Sequence, residues 1–310
     1  MNKNKDENGP DQNEKTSDHK KQVVLIRHGC TYMNEYLSNP GCQWGDADFT
    51  DIFPSAAQEE NEVDEKKRKY RDSPLSPRGV RQAQNLSNQL LNKRAQYQNV
   101  MNEIDLIVVS PLTRALQTTE LGLKPYFDSI DPNREQGSNV ASNFIPPIIA
   151  LPYAAERLYL ISDVGMSTSK LKARFPYVDF ESEFQTKEEK EKWWFSLLES
   201  NDDNDSDQYY ELKDIVIGTK QKSKYEEWRP RDERQKYAHP GEPDDYFYKR
   251  MSNLVNWINS REEKTIAIVC HWGVIDCLIG EDFENCEMRV VDFETDIKSR
   301  MAQGHFTSMI

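Results

Sequence analysis

Four short apolar runs divide the chain, and each ends at polar or turn-forming residues. They occupy residues 22–26, 104–110, 146–152 and 265–270. The runs are rich in β-branched side chains, and the second is too apolar on both faces for a strand with one face in water. We therefore predict a buried β-strand at each run.

Helical patterns follow several of these runs. Residues 76–94 carry Val80, Ala83, Leu86 and Leu90 at three-to-four spacing, with a proline near the start. Further helices are predicted after residue 110, over residues 245–261 and after residue 271. Buried strands that alternate with helices predict an α/β fold, a three-layer αβα sandwich with a largely parallel central sheet.

The polar segments define the predicted domain limits. Residues 1–21 contain almost no apolar side chains and are predicted to be a disordered tail. One domain is predicted over residues 22–290, with insertions near 36–72 and 181–235, where no sustained periodicity is present. Residues 291–310 are predicted to be a C-terminal tail.

Composition excludes several function classes. The formal charge of −13 and the isoelectric point near 5.0 argue against nucleic acid or an anionic membrane as the main partner. No apolar run approaches the length of a membrane span, and the first residues lack the apolar core of a secretory signal. The five cysteines form no CxxC pair, which argues against a disulfide framework or a zinc site. We expect a cytoplasmic protein.

Three of the predicted strands end in residues suited to phosphate chemistry. Arg27 and His28 follow the first strand, Arg114 lies one turn beyond the second, and His271 follows the fourth. The carboxyl ends of strands converge on the ligand crevice in open α/β sheets, so these groups could meet at one point. Guanidinium forks bind phosphate oxygens, and an imidazole can attack phosphorus in line. This scheme needs no metal ion or other cofactor.

Five segments carry a family resemblance, and they occur in family order. They are VVLIRHGCTYMN (23–34), DSPLSPRGVRQA (72–83), SPLTRALQT (110–118), HPGEPDDYFYKR (239–250) and IAIVCHWGVI (266–275). Together they resemble the histidine phosphatase superfamily, which has the phosphoglycerate mutase-like fold. The resemblance implies that His28 is the nucleophile and that Arg27, Arg114 and His271 bind phosphate. Asn34, the asparagine of the first motif, is a further candidate phosphate ligand, with a simple turn-forming role as the alternative.

The proton donor to the leaving group has two candidates. In the family it is usually a carboxylate on the loop after the strand that follows the second arginine, and residues 146–165 offer Glu156 and Asp163. The segment AAERL resembles the acidic stretch of the family, which favours Glu156. A protonated carboxyl near neutral pH requires burial or a nearby negative charge.

The predicted activity is metal-independent hydrolysis of a phosphate monoester through a phosphohistidine. Two departures from phosphoglycerate mutases disfavour a glycolytic mutase: the segment GCQWGDADFTD with the long insertion behind it, and Pro243 in place of a serine. Mutase-type phosphoryl transfer and a non-catalytic phosphate-binding scaffold stay open as alternatives. The substrate is a phosphorylated small molecule or a phosphoprotein, and the sequence leaves the choice and the oligomeric state open.

Overall fold

The computed structural model describes residues 20–42, 70–92, 95–129, 145–194, 242 and 244–303. The predicted N-terminal tail lies outside these residues except for its last two positions. Most of both predicted insertions also lies outside them.

A five-stranded mixed sheet forms the centre of the protein. Its strands are β1 (Gln22–Arg27), β2 (Leu106–Val109), β3 (Ile148–Ala150), β4 (Thr265–Cys270) and β5 (Met288–Asp292). The strand order is β3-β2-β4-β1-β5, in which β5 alone is antiparallel to its neighbour. The four predicted strands are confirmed with slightly shifted limits, and the fourth matches at both ends.

Helices connect the strands and cover the sheet. Those of the described ranges are α1 (Tyr32–Leu37), α2 (Pro77–Leu91), α3 (Ala95–Glu103), α4 (Thr113–Thr118), α5 (Lys124–Ser129), α6 (Thr168–Arg174), α7 (Lys187–Lys192), α8 (Asp244–Ser260), α9 (Trp272–Ile279) and α10 (Ser299–Gln303). A π-helical turn, Thr119–Leu123, joins α4 to α5, and another, Phe293–Lys298, precedes α10. The predicted helix over residues 76–94 begins at its proline because the Ser76 side chain accepts from the Gly79 amide.

The two faces of the sheet bury separate apolar clusters. Alternate residues of β1 point to opposite faces, so Val24 and Ile26 join one cluster while Val23 and Leu25 join the other. The first cluster takes in residues of α2, α3 and α4. The second takes in residues of α8 and α9. Helices therefore cover both faces, and the predicted three-layer αβα sandwich is confirmed.

The predicted domain end at residue 290 is wrong. β5 pairs along β1 as far as Asp292, and the π-helical turn behind it buries Phe293 and Ile297 completely. Both side chains belong to the apolar cluster formed with α8 and α9. Phe293 and Ile297 are surrounded in sequence by polar residues, so the apolar pattern does not reveal that this segment is buried. The fold continues to residue 303.

Two further features concern the chain as a whole. All five cysteines lie within the described residues, and each is free. No helix in the described ranges is long and apolar enough to cross a membrane.

Candidate active site

The sheet brings the predicted site residues together at its carboxyl edge. β2, β4 and β1 are neighbours in that order, and Ser110, His271 and His28 are the residues that directly follow them. The ring centroids of His28 and His271 lie 5.0 Å apart. Two buried imidazoles therefore meet where the parallel strands end.

His28 is held in a form suited to nucleophilic attack. Its Nδ1 lies 2.7 Å from the Gly29 carbonyl oxygen. A carbonyl oxygen can only accept, so Nδ1 carries the ring proton and Nε2 keeps its lone pair. Burial lowers the pKa of His28 well below its usual 6.5, and the charge of Arg114 lowers it further. Nε2 is not hydrogen-bonded to any described residue, which leaves its lone pair available to a ligand.

His271 is fixed between two partners. Its Nε2 lies 2.6 Å from the Ser110 hydroxyl, and its Nδ1 lies 3.2 Å from Arg114 Nε. Because a guanidinium can only donate, Nδ1 accepts and the proton of the neutral ring lies on Nε2. Burial lowers the pKa of His271 well below 6.5, and Arg114 and His28 add to the effect. The imidazole is thus oriented from both sides.

Arg114 is the best-anchored cation of the site. It lies on α4 and is 4% exposed. Nη1 donates to the Ser162 carbonyl at 2.6 Å, and Nη2 forms an ion pair with Asp163 at 2.8 Å. One hydrogen on each terminal nitrogen is left for a ligand. The fixed fork suits bidentate binding of an oxyanion.

Arg27 is the last residue of β1, and one of its buried donors is left without a partner by the part of the chain that the structure describes. Its Nη1 donates to the Phe283 carbonyl, whereas its buried Nε has no hydrogen-bond partner among the described residues. An orphaned buried N–H is costly, so it is commonly satisfied by a ligand. An oxyanion at the strand ends could fill that role.

Glu156 lies against the helix that follows His271. Its Oε1 accepts from the Arg157 amide at 2.9 Å, and its Oε2 accepts from the Gly273 amide at 3.3 Å. Burial raises the pKa of Glu156 above its usual 4.5, and the charge of Asp163 raises it further. A carboxyl in this setting holds its proton to higher pH than an exposed one, as a proton donor requires.

Asp163, the second candidate donor, is engaged differently. Its Oδ1 accepts from Arg114, and its Oδ2 accepts from the amides of Leu160 at 2.9 Å and Tyr159 at 3.2 Å. The carboxylate therefore fixes a turn of the chain and the orientation of Arg114.

Asn34 has a local structural role. It stands at the third position of α1 and forms a reciprocal capping box with Thr31, whose amide and hydroxyl both donate to its Oδ1. Within the described residues, none of its hydrogen bonds joins it to His28, Arg114 or His271.

The RHG loop is braced by the start of α2. The Ser76 amide donates to the Cys30 carbonyl at 2.9 Å, and Gln82 accepts from the Cys30 amide at 2.9 Å. A Cβ on Gly79 would lie 1.9 Å from the Cys30 carbonyl oxygen, so only glycine permits this approach. The SPRG motif is thus explained as a support for the loop that carries His28.

Asn285 contacts the site, although no sequence motif points to it. Its side-chain amide donates to the His28 carbonyl at 2.9 Å, and it lies in the loop that leads into β5. In the sequence, Asn285 is simply a polar residue in a loop. Its contact with His28 can be expected only once β5 is known to pair with β1.

Among the described residues, no group of three or more His, Cys, Asp or Glu side chains is arranged to hold a metal ion.

Comparisons with known proteins point to one family. The sequence profile of the histidine phosphatase superfamily (branch 1) matches residues 56–127 and 205–303. These stretches contain Arg114 and His271, whereas His28 and Glu156 lie outside them.

Two proteins of Arabidopsis thaliana are similar in sequence. A phosphoglycerate mutase-like protein is 25% identical over 252 residues, which cover 78% of this chain and 73% of the relative. Phosphoglycerate mutase-like protein 2 is 28% identical over 270 residues, which cover 70% of this chain and 64% of the relative. The chain thus spans somewhat less than two thirds of the second relative.

Two solved structures are similar at lower identity. The alpha-ribazole phosphatase of Shigella flexneri is 18% identical, with a TM-score of 0.37 and coverage of 87% of this chain and 90% of that one. The phosphoglycerate mutase of Thermus thermophilus is 16% identical, with a TM-score of 0.35 and coverage of 89% and 95%. The family profile covers more than half of the sequence, and the protein belongs to the histidine phosphatase superfamily, branch 1.

Proposed function

We propose that the protein is a phosphomonoesterase that forms a phosphohistidine on His28. The observation that carries the proposal is the state of this imidazole. It is buried at the strand ends beside His271 and Arg114, with its proton on Nδ1 and its lone pair on Nε2.

The reaction has two balanced steps. In the first, His28 Nε2 bonds to phosphorus while the bond to the ester oxygen breaks, and Glu156 gives its proton to the departing alcohol. In the second, water attacks phosphorus, Glu156 takes the proton of the water, and the N–P bond breaks. Inorganic phosphate and the regenerated imidazole are the products.

The cations and dipoles of the site neutralise the transferring group. Arg27 offers a buried N–H that no described residue binds, and Arg114 offers one hydrogen on each terminal nitrogen that its described partners leave open. His271 lies beside His28, and its protonated Nε2 can donate to a phosphate oxygen when its bond to Ser110 opens. The transition state of phosphoryl transfer is loose, so fixed charge and position supply most of the rate enhancement.

The test is a panel of phosphomonoesters assayed for released phosphate in the presence of EDTA. The wild-type protein should release phosphate, and His28→Asn should retain less than about a hundredth of that rate, because loss of the nucleophile costs several kcal/mol of barrier. An alkaline quench of the wild-type reaction should trap an acid-labile phosphoramidate that His28→Asn lacks.

Three outcomes would count against the proposal. Substantial activity in a folded His28→Asn variant would remove the nucleophile. Strict dependence on added Mg²⁺ or Zn²⁺ would favour metal-assisted hydrolysis. Transfer of the phosphoryl group to a second alcohol, with little free phosphate, would identify a mutase.

A further inference from the structure

A buried ion pair lies behind the segment that carries Glu156. Arg250 of α8 binds Glu242 with two nearly parallel bonds, Nε to Oε1 at 2.9 Å and Nη2 to Oε2 at 2.7 Å. The two side chains are 2% and 3% exposed. Desolvation of two charges offsets most of their attraction, so such a pair is weak evidence for a gain in stability.

The remaining donors of Arg250 hold one short stretch of backbone. Nη1 donates to the carbonyls of Tyr153 at 2.9 Å and Ala155 at 2.8 Å, and Nη2 approaches the Glu156 carbonyl at 3.4 Å. A single guanidinium thus contacts three carbonyls within four residues. A lysine could not reproduce this pattern, because its ammonium is a point donor without a planar fork.

Glu242 holds the same stretch on its other side. Its amide donates to the Leu158 carbonyl at 2.8 Å, and its carbonyl accepts from Arg157 Nε at 2.8 Å. The backbone is therefore held before Glu156 at Tyr153 and Ala155, and after it at Leu158.

The space around the Glu156 carboxyl permits little displacement. A Cβ on Gly273 would lie 2.5 Å from Glu156 Oε1, so the carboxyl fits against bare backbone two residues beyond His271. A shift of the segment would move the carboxyl away from the Gly273 amide. Displacement of a catalytic group by about 1 Å is enough to reduce rates strongly.

We infer that the Glu242–Arg250 pair is a positioning device for the proton donor. It sets where the Glu156 carboxyl lies relative to the two histidines, without contact with substrate. The inference rests on the proposed function, in which Glu156 protonates the leaving group.

The test compares two substrates in purified full-length variants. An alkyl phosphate needs the proton donor, whereas p-nitrophenolate leaves without one. Arg250→Lys should lower alkyl phosphate hydrolysis about tenfold or more and p-nitrophenyl phosphate hydrolysis by less than about threefold. Glu156→Gln combined with Arg250→Lys should lose no more on the alkyl ester than Glu156→Gln alone, because both changes act through one group.

A matched control and a second variant accompany the test. Arg261→Lys alters a more exposed arginine–glutamate pair just beyond the same helix, and it should leave the ratio of the two rates unchanged. Glu242→Gln keeps the shape of the side chain while it removes the charge, and it should change the ratio in the same direction as Arg250→Lys. Thermal denaturation confirms that each variant is folded.

The outcomes separate the inference from the proposed function. If Glu156→Gln itself loses both substrates equally, the proton donor is misassigned, and the inference falls with it. A second outcome is that Glu156→Gln reduces only the alkyl phosphate rate, while Arg250→Lys and Glu242→Gln either reduce the rates on both substrates equally or leave both unchanged. In that case the pair is structural, and the inference alone is overturned. Failure of both variants to fold would also show a structural role.

Discussion

Glu156 and Asp163 lie seven residues apart, yet their surroundings give them different tasks. Glu156 accepts from two uncharged backbone amides, and burial raises its pKa. Asp163 accepts from the Arg114 guanidinium and from the backbone of its own turn. The geometry therefore supports the proposed role of Glu156 as the proton donor, whereas Asp163 orients Arg114.

This assignment predicts different kinetic losses for the two carboxyls. Glu156→Gln should reduce alkyl phosphate hydrolysis by about 10²- to 10⁴-fold and p-nitrophenyl phosphate hydrolysis far less, because only the alkyl alcohol needs a proton. Asp163→Asn should reduce both to a similar extent, because a displaced Arg114 weakens phosphate stabilisation for either ester. Initial rates on both esters provide the measurement, and a selective loss in Asp163→Asn would reverse the two roles.

The raised pKa of Glu156 leads to a further prediction, on the pH dependence of the proposed activity. The donor must be protonated, so alkyl ester hydrolysis should fall as pH rises through that pKa, and the decline should be absent in Glu156→Gln. A loss of activity on the alkaline side identifies a proton donor, because a carboxylate that acts only when ionised would lose activity on the acidic side.

Sequence alone identifies some of these residues and misses others for a physical reason. Arg27, His28 and His271 directly follow apolar runs, so the strand pattern places them at the sheet edge. The residues that support the site are remote in sequence: Asn285 lies 257 residues from His28, and Asp72, which caps the helix of Arg114, lies 41 residues from Thr113. Such pairings depend on the fold and leave no local pattern.

Among the elements, α4 depends on a cap from outside its own segment. Leu112 precedes the helix and provides no side-chain cap. Asp72 takes that role, accepting from the Thr113 amide at 2.8 Å and from its hydroxyl at 2.5 Å. Burial raises the pKa of Asp72 to about 6, although both bonds from Thr113 oppose the rise. The helix that carries Arg114 thus begins at a buried carboxyl.

This cap predicts a pH-dependent stability difference. The pKa of Asp72 is 3.8 in the unfolded reference and about 6 in the fold, so the folded form binds the extra proton between these values. The contribution of Asp72 to stability is therefore fully present below pH 3.8 and is lost as pH rises towards 6. Asp72→Asn lacks this dependence, and asparagine tolerates the positive φ of 42° at the position.

The measurement is the free energy of unfolding in urea at about pH 5 and about pH 7.5. The difference between Asp72→Asn and wild type should move in favour of the variant by about 1 kcal/mol over this range. A difference that stays constant with pH would show that Asp72 titrates alike in the folded and unfolded chains.

The pattern of apolar residues predicts β4 at both ends and misses β5. β4 is buried along its whole length, and its predicted limits match the observed ones. β5 lies at the edge of the sheet, where only Met288 is fully buried and Val290 is 41% exposed. An edge strand needs few apolar residues, so its sequence MRVVD carries little periodic signal.

At the scale of the molecule, residues 288–303 complete one face of the sandwich. The Phe293 amide donates to the Lys21 carbonyl at 3.0 Å, which ties this segment to the start of β1. Arg300 Nε donates to the Cys277 carbonyl of α9 at 3.3 Å. α9 begins at the residue after His271. The C-terminal segment therefore helps to hold the helix that follows His271.

The burial of Phe293 makes this role measurable. Phe293→Ala should lower the free energy of unfolding by about 3 to 5 kcal/mol, since it removes a large side chain from a closed apolar cluster. Val290→Ala is the matched control from β5, and its exposed side chain should change stability by less than about 1 kcal/mol. Urea denaturation of both variants gives the comparison. A loss in Phe293→Ala no larger than in the control would mean that residues beyond 290 are dispensable for the domain. The large loss would instead make the strand-and-turn segment part of the scaffold that holds His271.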